Sequence, residues 1–206
     1  MPGFAELLDG YRRFRGQEYH LHRERWQQLA SGQEPPAMIV ACCDSRVEPA
    51  TIFDTKPGQA FVLRNVANIV PPFEVGGGLH GASAAVEFAV LMLKVRHIVV
   101  MGHGACGGVK AALQGGDHGA PGESFVDGWI RVLDGARQRV LDANPEDPQL
   151  ALELEGVKTS LRNLRSFPYV AEREAAGLLK LHGCHFSIAE GRLQVLDEAE
   201  DVFRPV

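Results

Sequence analysis

Ala37-Met38-Ile39-Val40-Ala41-Cys42-Cys43-Asp44-Ser45-Arg46 runs a short, continuously apolar segment straight into two thiols, a carboxylate and a guanidinium. The apolar half has the length and composition of a strand buried on both faces of a parallel sheet. The polar half is not what a hydrophobic core requires. Alone, it has a plain structural explanation: cysteines packed as small hydrophobes beside an ordinary Asp44–Arg46 surface pair. A second stretch changes the weighing. Met101-Gly102-His103-Gly104-Ala105-Cys106-Gly107-Gly108 also follows an apolar, strand-like run, here residues 97–101. In open α/β sheets ligands gather outside the carboxyl ends of the strands, so Cys42, His103 and Cys106 can meet on one edge. Two thiolates and one imidazole suit Zn2+, and three protein ligands leave a fourth position for water, which marks a catalytic site rather than a closed structural one.

The same glycines also spell Gly102-x-Gly104-x-x-Gly107, a dinucleotide-binding fingerprint between a strand and a helix. Its context fails. The chain continues into Gly115-Gly116-Asp117-His118-Gly119-Ala120-Pro121-Gly122 rather than a second strand ending in an acidic ribose ligand, and the wildcard positions hold His103 and Cys106.

The rest of the chain fits an α/β frame around these two stretches. Its 206 residues, 45% hydrophobic and 23% charged, suit a single soluble domain over 1–206. The net charge of −5 argues against a nucleic-acid partner. No window approaches the roughly 18 apolar residues of a membrane span, and Met1-Pro2-Gly3-Phe4-Ala5-Glu6 lacks the layout of a secretion signal, so no membrane partner and a cytoplasmic location are expected. In such a chain Cys42, Cys43, Cys106 and Cys184 favour metal binding or burial over disulfides.

Phe4, Leu7, Leu8, Tyr11 and Phe14 recur at helical spacing, and residues 1–30 read as a helical arm with too few apolar residues for a core of its own. That arm is expected to lie across another surface, such as a partner subunit. Strands are expected at 37–41, 60–63, 97–101, within 176–188 (broken at Gly183) and, after a turn at Gly191, at 192–196. Helices are expected at Gly81–Lys94, apolar nearly all round and so deeply buried, at Ser124–Asp142 and at Pro148–Leu164, with a loop over 114–122. The fold class is therefore α/β: a mainly parallel central sheet of about five strands with an antiparallel edge strand, flanked by helices, plus the N-terminal arm.

Cys42-x-Asp44-Ser45-Arg46 with His103-x-x-Cys106-Gly107-Gly108 resembles the β-class carbonic anhydrases, in particular their plant-like branch. Phe61-Val62-Leu63-Arg64-Asn65-Val66-Ala67-Asn68 is similar to that family's FVxRNVAN segment. The resemblance implies a zinc enzyme that interconverts carbon dioxide and bicarbonate by attack of zinc-bound hydroxide, on an α/β fold forming homodimers or higher even-numbered oligomers. It makes Cys42, His103 and Cys106 the metal ligands. Asp44 would then either orient the zinc hydroxide or close the site as a fourth ligand, and pairing with Arg46 would hold it off the metal. Gln33 matches a glutamine that reaches into the substrate pocket, generally the partner's; its plain alternative is a solvated loop residue. Phe61, Val66 and Phe88 match the apolar pocket lining, with simple core packing as the alternative, and the Gly107 amide at a helix start suits an anionic oxygen. Relatives with a closed, bicarbonate-inhibited state carry Trp, Arg and Tyr where this chain has Ile39, Arg64 and Phe186, so an open site at neutral pH is expected.

Cys43 and Cys184 are expected to be packed thiols. His20, His22, His80, His97, His118, His182 and His185 show no ligand spacing. A related zinc hydrolase acting on carbonyl sulfide or carbon disulfide, or a non-catalytic zinc protein, would carry the same triplet. The non-catalytic reading sits poorly with the retained Asp44 and Arg46.

Overall fold

The computed structural model describes residues 3–76, 80–115 and 124–206. Most of the loop expected over 114–122 lies outside the described residues, as does His118. The chain divides into two compact units, Met1–Glu34 and Pro35–Val206.

The first unit is three helices: α1 (Phe4–Gly16), α2 (Glu18–Leu21) and α3 (Arg23–Ala30). None has a buried residue, because the only apolar cluster is aromatic and small. Phe14 meets Trp26 edge-on at 5.5 Å and Tyr19 stacks on Trp26 at 6.2 Å. The Arg15 guanidinium sits 4.4 Å from the Tyr19 ring centre. Phe4, Leu7 and Tyr11 of the helical stripe stay exposed.

The second unit is built on a six-stranded sheet. Its strands are β1 (Ala37–Cys42), β2 (Ala60–Asn65), β3 (His97–His103), β4 (Lys180–Ser187), β5 (Arg192–Asp197) and β6 (Val202–Pro205), ordered β2-β1-β3-β4-β5-β6. The first four are parallel and the last two antiparallel. The expected sheet was one strand short: β6 is only four residues with Pro205 among them, too brief and too polar for alternation to reveal. β1 is central and almost wholly buried, with Met38 and Val40 packed in one layer and Ile39 and Ala41 in the other.

The remaining helices are α4 (Pro49–Ile52), α5 (Gly81–Glu87), α6 (Gly107–Leu113), α7 (Phe125–Ile130), α8 (Asp134–Ala143), α9 (Pro148–Arg165) and α10 (Pro168–Ala175). Two expectations are corrected here. The 81–94 helix is not deeply buried throughout: after α5 it widens into a π-turn at Phe88–Met92, and Val86, Ala89 and Val90 are buried while Ala85 and Leu93 are partly so. Phe88, Leu91 and Met92 point outward within this chain. The strand expected to break at Gly183 does not break. A side chain there would come within 2.9 Å of Val157 and 3.0 Å of Leu161, both on α9. Gly102 meets α9 the same way, 2.7 Å from Val157. These glycines let α9 lie directly on β3 and β4, a packing requirement rather than a turn signal.

Register brings the two chemical stretches together. Cys42 pairs with Asn65 and Ala41 with Met101, so β3 runs on to His103 at the same sheet edge where β1 ends. His103 in turn pairs with Phe186.

Candidate metal centre

Cys42 is the last residue of β1, His103 the last of β3, and Cys106 the residue that caps α6. All three are buried, and their ligand atoms lie within 4.8 Å of one another. The two sulfurs are 3.9 Å apart. His103 Nδ1 lies 3.0 Å from the Gly104 carbonyl, which can only accept, so Nδ1 carries the hydrogen and Nε2 presents a lone pair. That Nε2 is buried and has no partner. An orphaned acceptor beside two thiols is costly for a core and apt for a metal. Two sulfurs and one nitrogen from the protein form a donor set that fits zinc.

Electrostatics agree. The two sulfurs are within hydrogen-bonding distance, and this contact draws the Cys42 pKa down to about 4 despite its burial while pushing the Cys106 thiol well up. Burial disfavours a charged His103, but the neighbouring Cys42 sulfur and the Gly104 carbonyl favour it and raise its pKa overall.

Asp44 sits on the rim. Its Oδ1 accepts from the Arg46 amide at 3.0 Å and from Arg46 Nε at 2.9 Å, and its Oδ2 accepts from Arg46 Nη2 at 2.6 Å. This bidentate pairing holds the carboxyl well below the usual carboxylate range. Oδ2 remains 4.0 Å from His103 Nε2, within a water's reach of the triplet. Arg46 also donates to the Ala105 carbonyl at 3.0 Å, tying the first ligand loop to the second. Ala105 has φ of 54°, a left-handed conformation uncommon without glycine, at the bend between His103 and Cys106.

A carbonic anhydrase family profile matches residues 37–193, which include the whole centre. Beta carbonic anhydrase 3 of Arabidopsis thaliana is 35% identical over 196 residues, 93% of this chain and 76% of the relative. The chain belongs to the β-class carbonic anhydrases. Among solved structures, the β-carbonic anhydrase CcaA matches with a TM-score of 0.91 at 32% identity, covering 98% of both chains. A tetrameric β-carbonic anhydrase of Sordaria macrospora matches at 0.79 and 32% identity, covering 94% of this chain and 96% of the other.

Within this β-class carbonic anhydrase the expected pocket residues lie on several elements. Val66 leans on the helix after Cys106: a side chain at Gly108 would come within 2.6 Å of it. Phe61 and Phe88 stack at 5.8 Å, but Phe61 is four strand positions back from Asn65, about 13 Å along β2. Gly107 opens α6 and is exposed. Gln33 belongs to the first unit and is exposed. Cys184 is buried as expected, whereas Cys43 is exposed rather than packed. The reason is local: β1 stops at Cys42, and the chain turns out of the sheet with only the Cys43 amide still paired, to the Asn65 carbonyl at 2.9 Å.

Two sets of supporting residues had no role assigned from sequence. Arg64 threads under the first ligand loop, donating to the carbonyls of Cys42 at 2.9 Å and Asp44 at 2.8 Å, and pairing with Glu48. On the other side Glu153 accepts from the Cys106 amide at 3.0 Å. His185 Nε2 lies 3.1 Å from the second Glu153 oxygen. Arg64 could have been suspected from its place beside Asn65. Glu153 could not, since α9 reads as an ordinary amphipathic helix. A cavity of about 650 Å3 opens beside Gly104 and Ala105, lined in part by Glu153 and His185 and by none of the three ligands.

Proposed function

We propose that this chain catalyses the zinc-dependent, reversible hydration of carbon dioxide to bicarbonate and a proton. The observation that carries this reading is the lone-pair nitrogen of His103, buried without a partner and facing two thiol sulfurs, with Asp44 latched at the rim. Family membership and the names of the relatives support the same chemistry. Zinc, when held there, is a Lewis acid that lowers the pKa of water. Cys42, His103 and Cys106 would hold the metal, with the Asp44 carboxylate at the rim beside them. Asp44, acceptor only and kept ionised by Arg46, takes a hydrogen bond from the attacking oxygen and so sets its lone pair toward carbon dioxide. Arg46 keeps that carboxylate from becoming a fourth ligand. The test is stopped-flow hydration of carbon dioxide by purified protein of measured zinc content. Zinc-loaded protein without activity would overturn the reading.

The pH dependence follows from the ligands. Two thiolates cancel the charge of the metal, whereas three histidines leave it intact, and water in the three-histidine class ionises at about pH 7. Activity here is expected to rise with pH through a higher midpoint. Asp44 does not set that midpoint. Its pKa is depressed in the folded state, so its stabilising effect is full above the unfolded value of about 3.9 and fades only as pH falls below it. A rate profile flat from mildly acidic pH upward would contradict the thiolate argument.

We further propose a homodimer or higher even-numbered assembly in the cytoplasm. No described helix is long and apolar enough to cross a membrane. Phe4, Leu7 and Tyr11 of the arm, and Phe88, Leu91 and Met92 of the second unit, are all exposed in the single chain and offer apolar surface to a partner. The Sordaria macrospora relative is tetrameric. In such an assembly Gln33 reaches the pocket of a partner, and Phe61, Val66, Phe88 and the Gly107 amide complete the carbon dioxide site. Light scattering on the full chain is expected to read an even multiple of 22.4 kDa, and a monomer mass would sink the proposal.

A further inference from the structure

The loop from His103 to Cys106 bends through the left-handed Ala105, with the Gly104 amide donating to the Phe186 carbonyl at 2.9 Å, and Cys106 swings its sulfur on a single rotatable bond. Where that sulfur points depends on how the Cys106 peptide groups are held: the carbonyl accepts from the Lys110 amide of α6 at 2.9 Å, and α9 adds a contact to each group. Glu153 Oε1 accepts the Cys106 N–H at 3.0 Å. Gln149, one turn earlier, donates through Nε2 to the Cys106 carbonyl and to the same Glu153 oxygen, both at 3.0 Å. The other Glu153 oxygen faces His185 Nε2 at 3.1 Å, and the side chains of this pair are each only 2% exposed. The other buried positions of α9 carry no charge: Leu152, Gly156, Val157, Leu161 and Leu164, with the hydroxyls of Thr159 and Ser160. A carboxylate and an imidazole buried among them carry a desolvation cost that a leucine would not.

We propose that Glu153 is a positioning residue for the metal centre. With Gln149 it grips the Cys106 peptide at its N–H and at its C=O, and His185 on β4 fixes the carboxylate in that grip. The inference rests on the zinc reading of the triplet. Such outer partners commonly change metal affinity by about 10–100-fold when removed.

The test follows zinc release from the loaded full-length protein to a chromophoric chelator. Glu153→Leu is expected to release zinc roughly 10–100-fold faster than the natural chain. Glu153→Gln, which keeps an acceptor for the Cys106 amide, is expected to restore most of the difference. Leu161→Ala destabilises the same helix through a cavity and is expected to leave the release rate unchanged. If Glu153→Leu does not fold, Gln149→Leu, at a half-buried position, removes the grip on the Cys106 carbonyl and is expected to shift release in the same direction. In the cobalt-substituted protein the thiolate-to-metal absorption band is expected to weaken with Glu153→Leu and to survive with Leu161→Ala. Zinc release from Glu153→Leu at the natural rate, a rise matched by Leu161→Ala, or a Gln variant as leaky as the Leu variant would each overturn the proposal. A natural chain that takes up no zinc would overturn the zinc reading itself, and this inference with it.

Discussion

Cys42→Ser is expected to strip the centre of zinc and cut carbon dioxide hydration by about a thousandfold or more, as loss of several kcal/mol of Lewis-acid stabilisation implies. Cys42 is 4% exposed, at the end of the most buried strand of the sheet, with its sulfur 3.9 Å from that of Cys106. A serine would fit the space, so the fold should survive. Its oxygen, however, stays protonated at neutral pH and is a poor partner for zinc, while the native sulfur is already driven toward thiolate with a pKa of about 4. Zinc per chain and turnover, measured on one preparation, decide the matter. Full zinc occupancy in the Ser variant would remove Cys42 from the ligand set.

Arg46→Ala is expected to separate activity from metal retention. Three contacts from Arg46 now hold the Asp44 carboxylate, whose Oδ2 is 4.0 Å from the ligand nitrogen of His103. Of these, the one from the Arg46 amide survives the substitution and the two from the guanidinium do not. A carboxylate released so close to the open position becomes a fourth ligand. Turnover should fall about a hundredfold, as for other losses of alignment, while zinc leaves more slowly than from the natural chain. Asp44→Ala should also lose turnover but should not slow zinc release, because it has no carboxylate to add. Undiminished turnover in Arg46→Ala would show that the latch is an ordinary ion pair. Faster zinc release would show instead that its contact with the Ala105 carbonyl matters more than its hold on Asp44.

Much of this centre was legible in the chain because its parts are local. Cys42, Asp44 and Arg46 lie within five consecutive residues, and His103 and Cys106 within four, each group beginning at the end of a strand whose apolar run announces it. Short parallel strands of Val, Ile and Met cannot face water, so their positions could be inferred, and their carboxyl ends are where ligands sit. What misled was context. Gly183 looked like a break because glycine usually weakens a strand, but here it makes room for α9. Cys43 looked like a packed thiol because thiols usually are, but the strand ends one residue too early to bury it.

The α/β frame, the Cys42–His103–Cys106 triplet and the Asp44–Arg46 pair could be read from the residues alone, because spacing within a strand end or a tight loop leaves side chains few places to go. What stands behind them is set by packing between layers. Arg64 reaches Cys42 and Asp44 across adjacent strands, and Glu153 reaches Cys106 from a helix that touches the sheet only because Gly102 and Gly183 have no side chains. Such contacts depend on register and on the distance between layers, which a one-dimensional pattern does not contain.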